Sequence, residues 1–312
     1  MTKTSSELKR LLEKQHYRFI GNHSAIKICT WTKKSLLDQD FCYKQKFYGI
    51  KSHLCCQIST TIGLCQNRCI FCWRPTEYTI GISITNEDDP KKLIQAAIKA
   101  QQKQISGLKG NKNINLKKFE QAQNPKHFAI SLAGEPLIYK KLNQLIKELH
   151  KQGKTTFVVS NGLMPERLKN LEQPTQLYIS IDAPNKELFN KIDKPTIKNA
   201  WQKLNKSLTI LKKLKSKTRT VLRITLIKNM NMVEPENYAK LIKKANPMFV
   251  EIKAYMFVGA SRQRLEIKNM PRHHEVKEFA KQILKYLKEH KLVDGKKESR
   301  VVLLAKDKNT KI

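Results

Sequence analysis

From about residue 85 onward, stretches whose apolar residues recur every three or four positions alternate with short runs of β-branched and aromatic residues. Each run is closed by polar or glycine-containing residues. That alternation predicts a parallel sheet built from strand–helix units. Strands are read at residues 57–62, 127–133, 155–160, 177–182, 219–227 and 249–254, with a last one at 300–304. Asp89-Pro90 opens an amphipathic helix with proline in its first turn, and Gly107 ends it. A helix over 139–152 stops at Gly153, and a final helix covers about 273–290.

Before residue 57 the rhythm is absent. A short helix around 5–15 precedes Cys29, Cys42 and Cys55, which stand in polar, aromatic-rich loops. This predicts a small layer, residues 1–56, clamped over the mouth of a barrel formed by residues 57–312. Residues 109–118, basic and rich in asparagine, are expected to be a mobile surface insertion. Ligand sites in parallel sheets gather at the carboxyl ends of the strands. The candidates there are Gly134-Glu135-Pro136, Ser160-Asn161, Asp182, and Arg223 with Thr225. Ser, Asn and Asp at such places also cap helices and satisfy strand ends, so both roles stay open.

At 312 residues and 40% hydrophobic content the chain can bury one large α/β core or two smaller ones. No run of about 18 apolar residues exists, and the first residues lack an apolar signal core, which predicts a cytoplasmic protein with no membrane contact. Lys+Arg outnumber Asp+Glu by 61 to 26, a formal charge of +35. The excess is mostly lysine, 50 against 11 arginines, so codon bias contributes to it. The remaining field favours a polyanion such as nucleic acid, with binding that weakens as salt rises.

All seven cysteines lie between Cys29 and Cys72. In a reducing compartment such crowding holds metal rather than disulfides. Cys65-Gln-Asn-Arg-Cys69-Ile-Phe71-Cys72 is a CxxxCxxC run. Three thiolates on one tight loop can hold three irons of a [4Fe–4S] cube and leave the fourth open, whereas structural zinc takes four protein ligands. With its aromatic Phe71, the loop resembles that of the radical S-adenosylmethionine superfamily. The resemblance implies an α/β fold, a partial (βα)6 TIM-like barrel of the radical SAM type with an N-terminal cluster-binding layer. It also implies that the open iron binds the amino and carboxylate groups of S-adenosylmethionine, which is cleaved to methionine and a 5′-deoxyadenosyl radical. Phe71 would lie against the adenine, and Gly134 and Glu135 would offer groups to the methionine ammonium. Ser160 and Asn161 are the favoured contacts to its ribose or carboxylate.

Cys29, Cys42 and Cys55 follow one another at thirteen-residue steps, a spacing that by itself predicts only proximity. Beside a radical loop they are read as ligands of a second [4Fe–4S] cluster, also with an open iron. Cys56 is surplus, able to replace Cys55 but expected as a buried free thiol. The segment Cys42-Tyr-Lys44-Gln-Lys46-Phe-Tyr-Gly-Ile-Lys51-Ser-His53-Leu-Cys55, followed by Cys69-Ile-Phe-Cys72-Trp73-Arg74, is similar to the archaeal tRNA 4-demethylwyosine synthases. Supporting stretches include Glu251-Ile-Lys-Ala-Tyr-Met256, and the similarity covers nearly the whole chain.

What that similarity implies is a carbon–carbon lyase acting on N1-methylguanosine beside the anticodon of phenylalanine tRNA, with pyruvate supplying two carbons. Pyruvate is held either as a Schiff base on a lysine or by chelation at the open iron of the second cluster. Lys44 matches the lysine of the first option, with Lys46 and Lys51 as alternatives. A desolvated lysine beside another cation has a lowered pKa and can attack a ketone. Trp31, Tyr43, Phe47, Tyr48, Trp73 and Tyr78 are interleaved with basic residues. Trp73-Arg74 is the first choice for stacking on guanine, with Lys33-Lys34 and Arg262-Gln-Arg264 as phosphate contacts. No flavodoxin-like phosphate loop precedes residue 29, so electrons are expected from an external donor of flavodoxin or ferredoxin type, and the chain is expected to be a monomer. Competing readings are another two-cluster radical enzyme, such as a glycyl-radical activase, and a non-catalytic iron–sulfur RNA-binding protein.

Overall fold

A computed structural model of the chain describes residues 6–307 and 309–312. Helix α1 (Ser6–Lys14), strands β1 (Arg18–Phe19) and β2 (Ala25–Ile26), and helices α2 (Thr30–Leu36) and α3 (Tyr43–Tyr48) lead into β3 (Cys55–Ser59). Helices α4 (Pro90–Ser106) and α5 (Leu116–Ala122) precede β4 (His127–Ile130), and α6 (Leu142–Lys151) precedes β5 (Thr155–Ser160). Then come α7 (Pro165–Lys169), β6 (Gln176–Ser180), α8 (Lys186–Asp193), α9 (Ala200–Leu214), β7 (Arg219–Leu226), α10 (Pro235–Ala245) and β8 (Phe249–Ala254). Helix α11 (His273–Leu284), β9 (Lys291–Lys296) and β10 (Val301–Ala305) finish the chain.

Strands β3 to β8 pair in parallel and in sequence order, the half-open (βα)6 barrel expected from the alternating pattern. β1 and β2 extend one edge antiparallel, and β10 then β9 extend the other. The helices cover the outer face. In α6, Leu142, Leu145, Ile146 and Leu149 recur at helical spacing and are all buried, each worth about 1.5–3 kcal/mol against exposure. α4 begins as read: the Asp89 side chain accepts from Lys92 N at 3.0 Å, Pro90 occupies the first turn, and Gly107 follows the last residue. Among the described residues no helix is long and apolar enough to cross a membrane.

Two expectations are corrected. The N-terminal layer does not sit over the mouth; α3 fills the barrel from below. Tyr43, Phe47 and Tyr48 pack with Phe157, Tyr178, Val221 and Phe249, inward residues of the lower half of β5 to β8. The Tyr48 ring lies 5.4 Å from that of Phe249, the first residue of β8, and Phe47 O accepts from Thr310 Oγ1 at 2.6 Å. The layer also bridges the open side of the barrel, since Lys46 donates to Gly295 O at 2.6 Å and Lys296 pairs with Asp40 at 2.7 Å. The boundary between residues 56 and 57 falls inside β3, whose Cys55 and Cys56 pair with His127 and Phe128.

The basic insertion is also tied down. Asn115 caps α5, donates through its backbone N to Leu36 O at 2.9 Å and through Nδ2 to Asp38 at 2.7 Å, while Lys118 pairs with the same aspartate. Leu108 and Ile114 pack beside Ile28, Leu36 and Phe119, so an apolar contact hidden among lysines and asparagines anchors the segment to the layer.

Candidate active site

The cysteine loop leaves the carboxyl end of β3 and is gripped from two sides. Arg68 N donates to Asp193 O at 3.0 Å and Ile70 N to Ile192 O at 2.9 Å, so the end of α8 runs along one flank. Arg264 closes the other: Nε donates to Ile70 O at 3.1 Å, and Nη2 donates to the carbonyls of Cys72 and Arg74. Buried carbonyls in an irregular loop need such donors. Arg74 is itself buried and donates to Asn67 O at 3.1 Å and Thr79 Oγ1 at 3.2 Å. Burial works against its charge, and Cys65, Cys72 and Cys69 more than offset that, so its pKa is raised.

Cys65, Cys69 and Cys72 line one cavity of about 290 Å³ at the carboxyl ends of the strands. Burial pushes the Cys65 thiol up, with Arg74 opposing, and pushes Cys69 well up, reinforced by Asp193 and the other two cysteines. Cys69 Sγ donates to Asp193 Oδ1 at 3.1 Å. Asn67 N and Asn161 Nδ2 donate to Cys65 Sγ at 3.4 and 3.7 Å. Among the described residues no three of His, Cys, Asp and Glu gather tightly enough for one metal ion. A [4Fe–4S] cube takes one thiolate per iron, and three thiols spread around a shared cavity fit that donor pattern, with no fourth cysteine to close the last corner.

Across the cavity, Gly134 adopts φ +75°, and a Cβ there would lie 1.9 Å from Thr61 O, so only glycine lets β4's exit pass against β3's exit. Glu135 follows it, fully buried, and joins two strand ends: Oε1 accepts from Leu137 N at 3.1 Å and Ser160 Oγ at 2.8 Å, while Oε2 accepts from Asn161 N at 2.8 Å. A carboxylate has about four acceptor sites, which leaves one on Oε2. Burial outweighs these donors and raises its pKa to about 7. Ser160 and Asn161 are thus brought to the cavity wall, but their side chains serve Glu135, Cys65 and Gln66. Phe71 lines the cavity and packs with Ile192, Ile227 and Tyr255. Asp182 accepts from Thr225 N at 3.0 Å, its pKa raised to about 6 by burial.

The second group of cysteines lies below. Cys29 and Cys42 stand immediately before α2 and α3, and Cys55 begins β3. Burial pushes Cys55 well up, with Cys29 and Cys42 adding to it, and pushes Cys42 up to about 11, with Cys29 adding, so the three are near neighbours. Three thiols again fit three corners of a cube. Cys56 points the other way, as strand alternation requires, into the apolar layer that contains Ile58, Leu93 and Ala97. Burial raises its thiol to about 12.

Between the two groups runs a buried polar network. Glu251, fully buried on β8, accepts from the hydroxyls of Tyr43 and Tyr48, each at 2.9 Å, and from Arg223 Nε and Nη2 at 3.2 and 3.1 Å. Burial alone would raise its pKa; Arg223, Lys44 and the two hydroxyls overcome that and lower it. Lys44 is 8% exposed, its Nζ 4.8 Å from the Phe157 ring centroid and 4.6 Å from that of Tyr178. Burial first, then Arg223, lowers its pKa. Lys253, unlike Lys44, lines the upper cavity, and its pKa is lowered by the same causes while Cys42 and Cys29 oppose.

Other sequence candidates separate on their surroundings. Phe47 and Tyr48 are core residues, and Tyr43 is bound to Glu251. Trp73 is 42% exposed on the cavity rim, its Nε1 donating to Leu132 O at 3.1 Å. Arg264 is spent on the cysteine loop and its ion pair with Glu77, which removes it from the phosphate contacts, whereas Arg262 is exposed over the Phe257 ring. Glu251, Lys253 and Asp193 carried no role in the sequence reading. For Glu251 and Lys253 a signal existed, an acid and a lysine two residues apart, hence on one face, inside a short strand whose other residues are apolar.

A family signature described as "Radical SAM superfamily" matches residues 59–242, and one described as "Wyosine base formation" matches residues 244–306. The chain is 49% identical over 306 residues to the S-adenosyl-L-methionine-dependent tRNA 4-demethylwyosine synthase of Pyrococcus abyssi, covering 96% of this chain and 89% of that one. It is 41% identical to the synthase of the same description from Methanocaldococcus jannaschii, covering 98% and 97%. A solved structure described as "Structure of TYW1 with a lysine-pyruvate adduct bound" superposes with a TM-score of 0.87 at 37% identity, covering 99% of this chain and 98% of that one.

Proposed function

The chain belongs to the S-adenosyl-L-methionine-dependent tRNA 4-demethylwyosine synthases of the radical SAM superfamily, enzymes that use S-adenosylmethionine and a [4Fe–4S] cluster, and we propose how its residues divide the work. The substrate is N1-methylguanosine on the 3′ side of the anticodon of phenylalanine tRNA, and pyruvate is the two-carbon donor. The observation that carries this division is the polar network of Lys44, Arg223, Glu251 and Lys253 between two separate cysteine triads in one barrel.

Cys65, Cys69 and Cys72 hold the radical-forming cluster. When bound and reduced it supplies the electron that splits S-adenosylmethionine into methionine and a 5′-deoxyadenosyl radical. Glu135 gives its remaining Oε2 acceptor site to the methionine amino group, and Gly134 lets the strand exit that carries Glu135 pass close against Thr61. Phe71 supports the adenine; Ser160 and Asn161 hold Glu135 and the loop in register. Cys29, Cys42 and Cys55, in the layer formed by residues 1–56, hold a second cluster.

Lys44 carries pyruvate. Its lowered pKa leaves a larger share of neutral amine, which adds to the ketone carbon; the carbonyl oxygen leaves as water and an imine remains. The relative with a lysine–pyruvate adduct supports this choice over chelation. The flipped guanine enters past Trp73, whose exposed face and fixed indole suit stacking. The protein works in the cytoplasm as a monomer and takes electrons from a separate flavodoxin- or ferredoxin-type donor.

The test is anaerobic incubation of the reduced protein with S-adenosylmethionine, carbon-13 pyruvate and tRNA containing N1-methylguanosine. A two-carbon mass gain on that nucleoside, one labelled carbon per labelled position retained, is expected. Cleavage of S-adenosylmethionine with no pyruvate-derived carbon in the tRNA would overturn the proposal.

A further inference from the structure

One guanidinium on the cavity wall is only partly engaged. Arg223 lines the cavity from β7, level in the sheet with Ser180 and Glu251 and one inward position below Thr225. Its Nε and Nη2 are taken by Glu251, and Nη2 also donates to Tyr43 Oη at 2.9 Å. Nη1 makes no hydrogen bond among the described residues. The group cannot turn away, because its Cζ sits 4.6 Å from the Tyr178 ring centroid while Glu251 fixes its edge. Lys44 Nζ stands at 4.6 Å from that same centroid, so no more than twice this distance separates the amine from the guanidinium.

The charge balance points the same way. Arg223, Lys44 and Lys253 share the buried carboxylate of Glu251, and the one other buried carboxyl that feels Arg223, Asp182, is raised by burial to about 6, so three cations meet at most two carboxylates. Buried charge persists when it is paired, so the network has room for one more small anion. A planar guanidinium with a free edge suits a carboxylate. A 2-oxo acid is the small molecule whose ketone must meet an amine while its carboxylate hangs on the adjacent carbon.

We propose that Arg223 is the carboxylate-recognition residue for the 2-oxo acid: Nη1 grips a carboxylate oxygen and so delivers the ketone to Lys44. This rests on Lys44 being the carrier amine, and it adds a specificity the carrier alone lacks. A lysine reacts with any accessible ketone; the fixed guanidinium selects those bearing a neighbouring negative charge.

The experiment compares binding of pyruvate and of its neutral isostere pyruvamide to the anaerobic, iron-loaded protein by calorimetry. The wild type is expected to prefer pyruvate by roughly 10- to 100-fold, the worth of one charge-assisted interaction. Arg223→Gln is expected to lose that preference by weakening pyruvate alone, and Arg223→Lys to recover part of it. A merely structural role would weaken both ligands together. A wild-type preference near one overturns the proposal without recourse to any variant, as does an Arg223→Gln protein that keeps the wild-type ratio. Borohydride trapping followed by peptide mass analysis separates the carrier question. Binding with the expected preference but no adduct on Lys44 would sink the carrier assignment and leave carboxylate recognition by Arg223 standing.

Discussion

Replacing Glu251 by glutamine removes one negative charge from the centre of the barrel and changes almost no volume. The carboxylate accepts four hydrogen bonds, from Tyr43, Tyr48 and two nitrogens of Arg223, all at 2.9–3.2 Å. Glutamine keeps one acceptor oxygen and turns an NH2 group toward a donor, while Arg223 stays charged without its partner. Breaking a buried ion pair from one side costs about 3–5 kcal/mol. For a chain of this size that is a fall in melting temperature of roughly 5–8 °C. The assay is circular dichroism melting of anaerobic protein matched for iron content. Removing Arg223 as well takes away the orphaned charge, so Glu251→Gln with Arg223→Gln should be less destabilised than the two single losses added together. The pH dependence also has a fixed sign. The folded pKa of Glu251 is lowered, so its contribution is complete above the unfolded value near 4.3 and fades only as pH falls through the lower folded value. The deficit of the variant should therefore stay level from pH 8 to pH 6. A melting temperature within 2 °C of wild type, or strict additivity in the double variant, would refute the central role given to this carboxylate.

Gly134→Ala places a Cβ against Thr61 O at a positive φ, and a loss of roughly 2–5 kcal/mol in urea unfolding is expected; an unchanged midpoint would contradict the close approach. Cys56→Ala should retain the wild-type iron content whereas Cys55→Ala should not, and loss from Cys56→Ala with retention by Cys55→Ala would reverse the assignment of the pair. Glu135, with a pKa raised to about 7, is mostly neutral at pH 6 and mostly charged at pH 8. Affinity for S-adenosylmethionine, a sulfonium whose amino group donates to Glu135, should therefore rise with pH by up to roughly tenfold, and Glu135→Gln should flatten the curve in equilibrium dialysis. A wild-type affinity flat across that range would remove Glu135 from the binding site.

The strands at 155–160 and 249–254 were legible to the residue because Gly153 or Pro247 precedes a dense apolar run and a polar or aromatic break follows it. β9 was not. Lys291–Lys296 is polar, lies at the sheet edge and pairs on one side only, so it lacks the apolar run that marks buried strands, and the helical spacing of Leu284 and Leu287 carried the reading past the true helix end. That Cys65, Cys69 and Cys72 meet at one cavity was legible because their spacing is local. The place of the N-terminal layer was not, since nothing in residues 1–56 says which end of the barrel the aromatic face of α3 fills; only the pairing of Tyr48 with Phe249 and Tyr43 with Glu251 decides it. Arg264 looked like a phosphate contact because sequence shows its charge but not the three loop carbonyls around it.

Iron and sulfide counted per chain, in the anaerobic wild type and in Cys29→Ala, test most directly whether the two cysteine triads each hold a cluster. About eight irons falling toward four, with the radical-forming cluster retained, is the predicted result. Four irons in both proteins would contradict it and leave Cys29, Cys42 and Cys55 as a buried thiol group without a metal.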